Sequence, residues 1–317
     1  MMNEIINTIN LTKTYGKTKA VNNINLSVKE GEIFGFIGLN GAGKTTAIRM
    51  LLGMISPTSG ECYLQGEKVN AGNTNTWNNV GYIVETPYSY PELTVRDNLE
   101  IVRKLRGVKD KDSVNWIIKK LKLEKYESKK VKHLSLGNAQ RLGIAKAIMH
   151  KPKILLLDEP TNGLDPAGIV EVLKLLMDLA KNSGVTILVS SHKLNEISRI
   201  ATNIAIIHEG ELIKKVDKEE LQYELKKSLI IDGKDKKEMK LILSKAGYEA
   251  DIIPIENLNK KLPVLQIHNA DVVNNPEKIV TLLVNNGYPP RMVKVQKEDL
   301  EEYFLRSIEE FGGDVNE

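Results

Sequence analysis

The chain has 317 residues, 41% apolar and 27% charged, with a formal net charge of +4. That length suits two domains, and that composition excludes wholesale disorder and a fibrous repeat. No segment is long, apolar and uncharged enough to cross a bilayer, the first 15 residues do not read as a secretion signal, and a lone cysteine, Cys62, points to a reducing compartment.

Residues 1–220 alternate strand and helix patterns, which predicts an α/β domain with a mainly parallel sheet beside an antiparallel layer. Strands are expected at 5–10, 24–28, 33–37, 80–84, 154–157, 185–189 and 204–207. Helices are expected to start at Thr45, near Val114 and at Pro166; Val114, Ile117, Ile118 and Leu121 have i, i+3, i+4, i+7 spacing. The segment 217–227 reads as a link that is itself helical. Beyond it the order is strand (229–232), helix (236–246), strands (250–255 and 264–267), helix (276–286) and strand (292–295), with a last amphipathic segment at 300–308. That β-α-β-β-α-β order predicts a ferredoxin-like accessory domain over 228–317, after the α/β domain over 1–220. Charge follows the same division: residues 1–220 hold 31 basic and 24 acidic side chains, and 221–317 hold 14 and 17.

Two motifs carry the chemistry. Gly38-Leu39-Asn40-Gly41-Ala42-Gly43-Lys44-Thr45 fits the phosphate-loop pattern G-x-x-x-x-G-K-[ST], directly after a predicted strand. Its glycines let the backbone N–H groups wrap a phosphate, Lys44 reaches the β- and γ-phosphates, and Thr45 ligates Mg²⁺. Nucleotide contacts are therefore expected at Asn40, Gly41, Ala42, Gly43, Lys44, Thr45 and Thr46. The second motif is Ile154-Leu155-Leu156-Leu157-Asp158-Glu159, a buried strand that ends in two carboxylates. Asp158 is placed to hold Mg²⁺ and Glu159 to polarise the attacking water.

Four further segments carry a resemblance. Leu134-Ser135-Leu136-Gly137-Asn138-Ala139-Gln140-Arg141 resembles the signature of ATP-binding cassette (ABC) ATPases, usually written LSGGQ. Gly163-Leu164-Asp165 resembles the loop that meets the partner subunit, and His192, in Ser190-Ser191-His192, resembles the switch histidine at the γ-phosphate. Tyr15 resembles the aromatic on which adenine stacks. The matches extend over residues 5–210, about two thirds of the chain. The resemblance implies a homodimer that sandwiches ATP between the phosphate loop of one subunit and Ser135, Gly137 and Asp165 of the other. It also implies catalytic roles for Lys44, Glu159 and His192.

Departures from the pattern narrow the branch. Glu85 stands where most cassettes carry a glutamine, which implies a third metal or water contact, and Leu136 and Asn138 alter the signature. With the C-terminal extension, these features resemble the ATPases of bacitracin and lantibiotic self-protection exporters. That implies a subunit on the inner, cytoplasmic face of the membrane, docked on separate permease chains through residues 86–108. No nucleic-acid partner is implied. The alternatives are a cassette acting on the ribosome or nucleic acid, or a regulator whose C-terminal domain senses a ligand. Only 90 residues without heptads separate Lys44 from Leu134, and there is one ATPase unit per chain, which disfavours the former.

Overall fold

The computed structural model of the chain describes residues 4–70, 75–85, 87–257 and 260–312. Contacts gather into two compact units, Met1–Lys218 with Phe304–Glu317, and Glu219–Tyr303.

The first unit opens with the hairpin of β1 (Glu4–Tyr15) and β2 (Thr18–Lys29). Ile24, Leu26 and Val28 are buried while the residues between them are not, the period-two pattern of a strand with one covered face. β3 (Ile33–Ile37) is buried at all five positions and runs into the phosphate loop and α1 (Lys44–Leu51). β4 (Ser59–Leu64) and β5 (Glu67–Lys68) then complete an antiparallel sheet of order β2-β1-β4-β5.

β6 (Val80–Ile83) is followed by three helices: α2 (Val95–Leu105), α3 (Ser113–Lys120) and α4 (Leu136–Ile148). A reciprocal capping box of Thr94 and Asp97 starts α2. The chain continues through β7 (Ile154–Asp158), α5 (Pro166–Ser183), β8 (Thr186–Ser191), α6 (Leu194–Ile197), β9 (Asn203–His208) and β10 (Glu211–Asp217). The second sheet has the order β10-β9-β3-β8-β7-β6, and every neighbouring pair is parallel except β9 with β10. All residues of β7 and β8 are buried, as expected for central parallel strands. The loops after β3, β7 and β8, far apart in the chain, thus emerge side by side at the carboxyl edge of the sheet, where α/β folds bind ligands.

The sequence pattern did not indicate β4 and β10. Only Cys62 and Leu64 of β4 and Val216 of β10 are buried, because β10 is an edge strand and β4 shares its sheet only with β1 and the two-residue β5.

Beyond β10, α7 (Lys218–Glu224) occupies the expected helical link. The second unit then runs β11 (Lys227–Asp232), α8 (Lys236–Lys245), β12 (Asp251–Asn257), β13 (Lys260–Ile267), α9 (Ala270–Asn274), α10 (Pro276–Asn285) and β14 (Met292–Lys297). Its sheet has the order β12-β13-β11-β14 with all neighbours antiparallel. Leu229, Ile231, Leu265 and Ile267 bury one face against Met239 and Leu243 of α8 and Ile279 and Leu283 of α10. The closing helix α11 (Leu300–Phe311) is divided: its start groups with the second unit, and Phe304 onwards with the first. The sequence expectation of one domain over 228–317 did not anticipate that division.

Candidate active site

The phosphate loop owes its shape to close backbone approach. Gly41 and Gly43 have φ of 84° and 102°, where a side chain is strained. A Cβ at Gly43 would also lie 2.2 Å from the Ala20 carbonyl oxygen. Gly43 caps α1, whose first turn contains no acidic residue, so its N-terminal N–H groups face the loop without a competing carboxylate. Lys44 is only 6% exposed, and its Nζ donates to the carbonyl oxygens of Gly38 at 2.7 Å and Leu39 at 3.0 Å. Burial lowers its pKa, opposed by the charges of Glu159 and Asp158. The ammonium is therefore held inside its own loop, ready to exchange carbonyl partners for an anion. Ala42 is buried in the same loop, while Asn40 is exposed and Thr46 half-buried.

Opposite stands the end of β7. Thr45 Oγ1 donates to Asp158 Oδ2 at 2.7 Å, and Ser190 Oγ donates to Asp158 Oδ1 at 2.5 Å. Glu159 has φ 48°, a costly conformation outside glycine. Its N–H donates to the Ser190 carbonyl at 3.2 Å, and Gln140 Nε2 donates to the carbonyls of Glu159 and Pro160 at 3.4 and 3.0 Å. These bonds hold the turn that aims the carboxylate. Glu159 Oε1 lies 2.9 Å from His192 Nδ1 and 3.8 Å from Lys44 Nζ. Its Oε2 is buried with no hydrogen-bond partner. Ser190 and Gln140 stand inside the sequence motifs, but no role was assigned to them there; their contacts with Asp158 and with the carbonyls of Glu159 and Pro160 join distant elements and have no short-range signal.

The donor set suits Mg²⁺, a hard ion that takes one or two carboxylates, hydroxyls and substrate phosphates. Thr45 and Asp158 supply such oxygens within hydrogen-bond distance of one another. Among the described residues no cluster of three His, Cys, Asp or Glu gathers to hold an ion by itself, which leaves the rest of an octahedral shell to water and phosphate oxygens.

Glu85 is not gathered there. It was expected as a third metal contact; instead its Oε1 accepts from Arg49 Nη2 at 2.7 Å, and its side chain is 63% exposed. The reason is local: Glu85 turns at φ 55° just after β6, and Arg49 projects from the last turn of α1. The carboxylate satisfies a guanidinium rather than adding negative charge beside the phosphates.

The remaining predicted residues lie on separate elements. Ser135 is exposed and caps α4, accepting from the Asn138 N–H. Gly137 packs on the 163–165 loop: a Cβ there would lie 3.1 Å from the Gly163 carbonyl oxygen. Asp165 caps α5 and accepts from the Gly168 N–H at 3.1 Å. Tyr15 is half exposed at the end of β1, paired in register with Thr18, and Lys13 Nζ lies 5.3 Å from its ring centre. The same hairpin meets the phosphate loop, since Ala20 is the residue against which Gly43 packs.

The family model for ABC transporters matches residues 21–162. The bacitracin transport ATP-binding protein BcrA of Bacillus licheniformis is 39% identical over 307 residues, 97% of this chain and 98% of that protein. The chain belongs to the ABC transporter ATP-binding proteins. The Enterococcus faecalis protein of the same name is 40% identical over 97% of both chains. The lantibiotic transport ATP-binding protein SrtF of Streptococcus pyogenes is 40% identical over 204 residues, 64% of this chain and 87% of its own. In structure, the ATP-binding cassette MJ0796, described as a dimer in a post-hydrolysis state bound to ADP and phosphate, superposes with a TM-score of 0.62. That cassette is 28% identical and covers 67% of this chain and 98% of its own.

This ABC ATPase thus binds and hydrolyses ATP, as the resemblance implied. Its phosphate loop, Asp158, Glu159 and His192 form one cluster, whereas Ser135 and Gly137 sit with the loop 163–165. No helix among the described residues is long and apolar enough to cross a membrane.

Proposed function

We propose that this ABC ATPase powers an exporter that removes peptide antibiotics of the bacitracin or lantibiotic class from the membrane. The observation that carries the reading is similarity to bacitracin transport ATP-binding proteins along 97% of the chain, so that it includes the second unit and not the ATPase part alone. We infer further that the ATPase function resides in residues 1–220, with 228–317 as an accessory region, and that two copies close on two ATP molecules at the inner face of the membrane.

In this reading the N–H groups of residues 40–46 take the phosphates, and Tyr15 takes adenine. Lys44 leaves the carbonyls of Gly38 and Leu39 for the β- and γ-phosphates. Mg²⁺, held through Thr45 and Asp158, supplies charge neutralisation on the phosphates when bound. Glu159, whose Oε2 is free, accepts a proton from the water that attacks the γ-phosphorus. The bond from γ-phosphorus to the bridging oxygen breaks, leaving ADP and inorganic phosphate. His192 holds the other oxygen of Glu159 and senses the γ-phosphate from the end of β8. Ser135 and Gly137 receive the partner subunit's ATP.

The permease fits a groove of about 520 Å³ beside Glu85. Tyr88 and Tyr90, Leu105 of α2 and Lys146 of α4 line it. Tyr88 and Leu105 are 77% and 79% exposed, as suits an interface aromatic and its apolar neighbour. Tyr88, Tyr90 and Leu105 belong to the expected docking segment 86–108, of which Thr86 lies outside the described residues.

A survival assay tests the proposal. Cells of a bacitracin- or lantibiotic-producing or resistant host that carry this chain should withstand bacitracin or a lantibiotic better than the same cells whose copy carries Glu159→Gln. Equal survival of the two refutes the substrate class.

A further inference from the structure

The signature helix and the helix that follows the 163–165 loop meet at two separated points. The first is at their tips. Gly163 has φ 75°, and a Cβ on it would lie 2.5 Å from Leu136 Cδ2, while Gly137 packs on the Gly163 carbonyl. The second is further along both helices. Arg141 Nη1, on α4, donates to Glu171 Oε2, on α5, at 3.0 Å; Lys122 Nζ donates to Glu171 Oε1 at 2.6 Å. Arg141 also donates to the Leu121 carbonyl at 3.4 Å, so one guanidinium joins α4, α5 and the turn after α3. Its side chain is only 15% exposed, against 37% for Glu171, which places this pair away from full solvent screening.

Room for the guanidinium depends on Gly168. A Cβ at that position would stand 2.7 Å from Asp165 Oδ1 and 3.2 Å from Arg141 Nη2. Arg141 thus lies against the first turn of α5, where the helix dipole disfavours a cation, and Asp165 and Glu171 supply the offsetting negative charge. One contact between two helices is a pivot. A second contact, displaced along both, fixes their rotation. No motif reading absorbs this second contact, because Glu171 lies outside all of the chemical motifs.

We propose that Glu171 is a positioning residue for ATP turnover: by bridging Arg141 and Lys122 it sets the orientation of the signature turn, residues 135–137, against the loop 163–165. This rests on the reading of Ser135 and Gly137 as the surface that receives the partner's ATP. Glu171 touches no nucleotide in that scheme. It acts through Arg141 on the turn that does, so its loss slows the closed state's chemistry without weakening the first encounter with ATP at the distant phosphate loop.

The test uses the full chain with its permease and three variants: Glu171→Gln, Glu171→Asp and Ser135→Glu. Each is assayed for kcat, for equilibrium ATP affinity and for thermal midpoint. Glu171→Gln is expected to lower kcat about tenfold while ATP affinity stays within about twofold and the midpoint stays put. Glu171→Asp, which keeps the charge, should recover most of the lost rate. Unchanged kcat in Glu171→Gln overturns the proposal. So does a parallel fall of kcat, affinity and midpoint, which marks a merely structural pair, or an Asp variant as slow as the Gln one. Ser135→Glu separates the two readings. If it turns over normally, the signature reading itself fails; if it is inactive and Glu171→Gln is normal, only the positioning role fails.

Discussion

Nδ1 of His192 stands 2.9 Å from Oε1 of Glu159, although 33 residues separate them in the chain. The pair leaves Oε2 of Glu159 buried without a partner, so one carboxylate oxygen is tethered and the other is available. A base with one oxygen oriented and the other left with an unfilled acceptor is what proton abstraction from a bound water requires. Glu159→Gln should therefore keep ATP binding and lose turnover by about 10²- to 10⁴-fold, the range for removal of a general base. Phosphate release with equilibrium ATP binding on the same preparation checks this, and turnover at the wild-type rate would remove Glu159 from the role.

Gly43 tolerates no side chain. Its φ of 102° and the 2.2 Å approach of a Cβ to the Ala20 carbonyl together mean that Gly43→Ala must move either the loop or β2. The backbone strain costs on the order of 1–3 kcal/mol. The expected result is a lower thermal midpoint and loss of ATP affinity, measured by unfolding with and without ATP. An unchanged ATP-induced rise in the midpoint would contradict it.

Glu85 is engaged by Arg49, not by Thr45 or Asp158. Glu85→Gln should thus leave the Mg²⁺ concentration for half-maximal turnover where it is, while Asp158→Asn should raise it about tenfold or more. The exposed pair itself contributes only about 0.2–1 kcal/mol, so the unfolding midpoint should hardly move. Turnover in the presence of the permease is the property expected to change, since Glu85 and Arg49 both line the groove. A Mg²⁺ requirement that rises in Glu85→Gln would return this carboxylate to the metal.

His150 is expected to make the ATPase unit less stable in acid. Its pKa is lowered to about 4, first by burial and then by the charge of Arg106, and its Nδ1 has no partner. The unfolded chain titrates near 6.5 and so binds more protons than the folded chain between about pH 6.5 and 4. This group's contribution is thus present above pH 6.5 and lost as pH falls towards 4, a change on the order of 3 kcal/mol. His150→Gln retains a donor for the Val80 carbonyl and removes the titration. Its stability, from denaturant melts at pH 7 and pH 5, should fall less than that of the wild type. Parallel losses would show that other groups govern acid unfolding.

Several features could be read along the chain because they are local. The runs at 33–37 and 154–157 are apolar because their strands are covered on both faces, and positions 41 and 43 are glycines because the loop needs left-handed backbone there. Ser135 and Asp165 occupy helix caps, which the composition of the next turn reveals. Sheet margins were harder. β10 is half polar, and alternation fades where only one neighbour supplies burial.

By itself, the sequence determined the phosphate loop, the carboxylates that face it, the signature and the family, since each depends on residue types at fixed short spacing. Only the tertiary structure decided which side chains meet. Strand order placed β8 between β3 and β7, which brought His192 to Glu159 and Ser190 to Asp158. It also gave Glu85 to Arg49 and Glu171 to Arg141. These pairings span from 30 to 36 residues, and no periodicity reaches that far; packing of whole elements sets them.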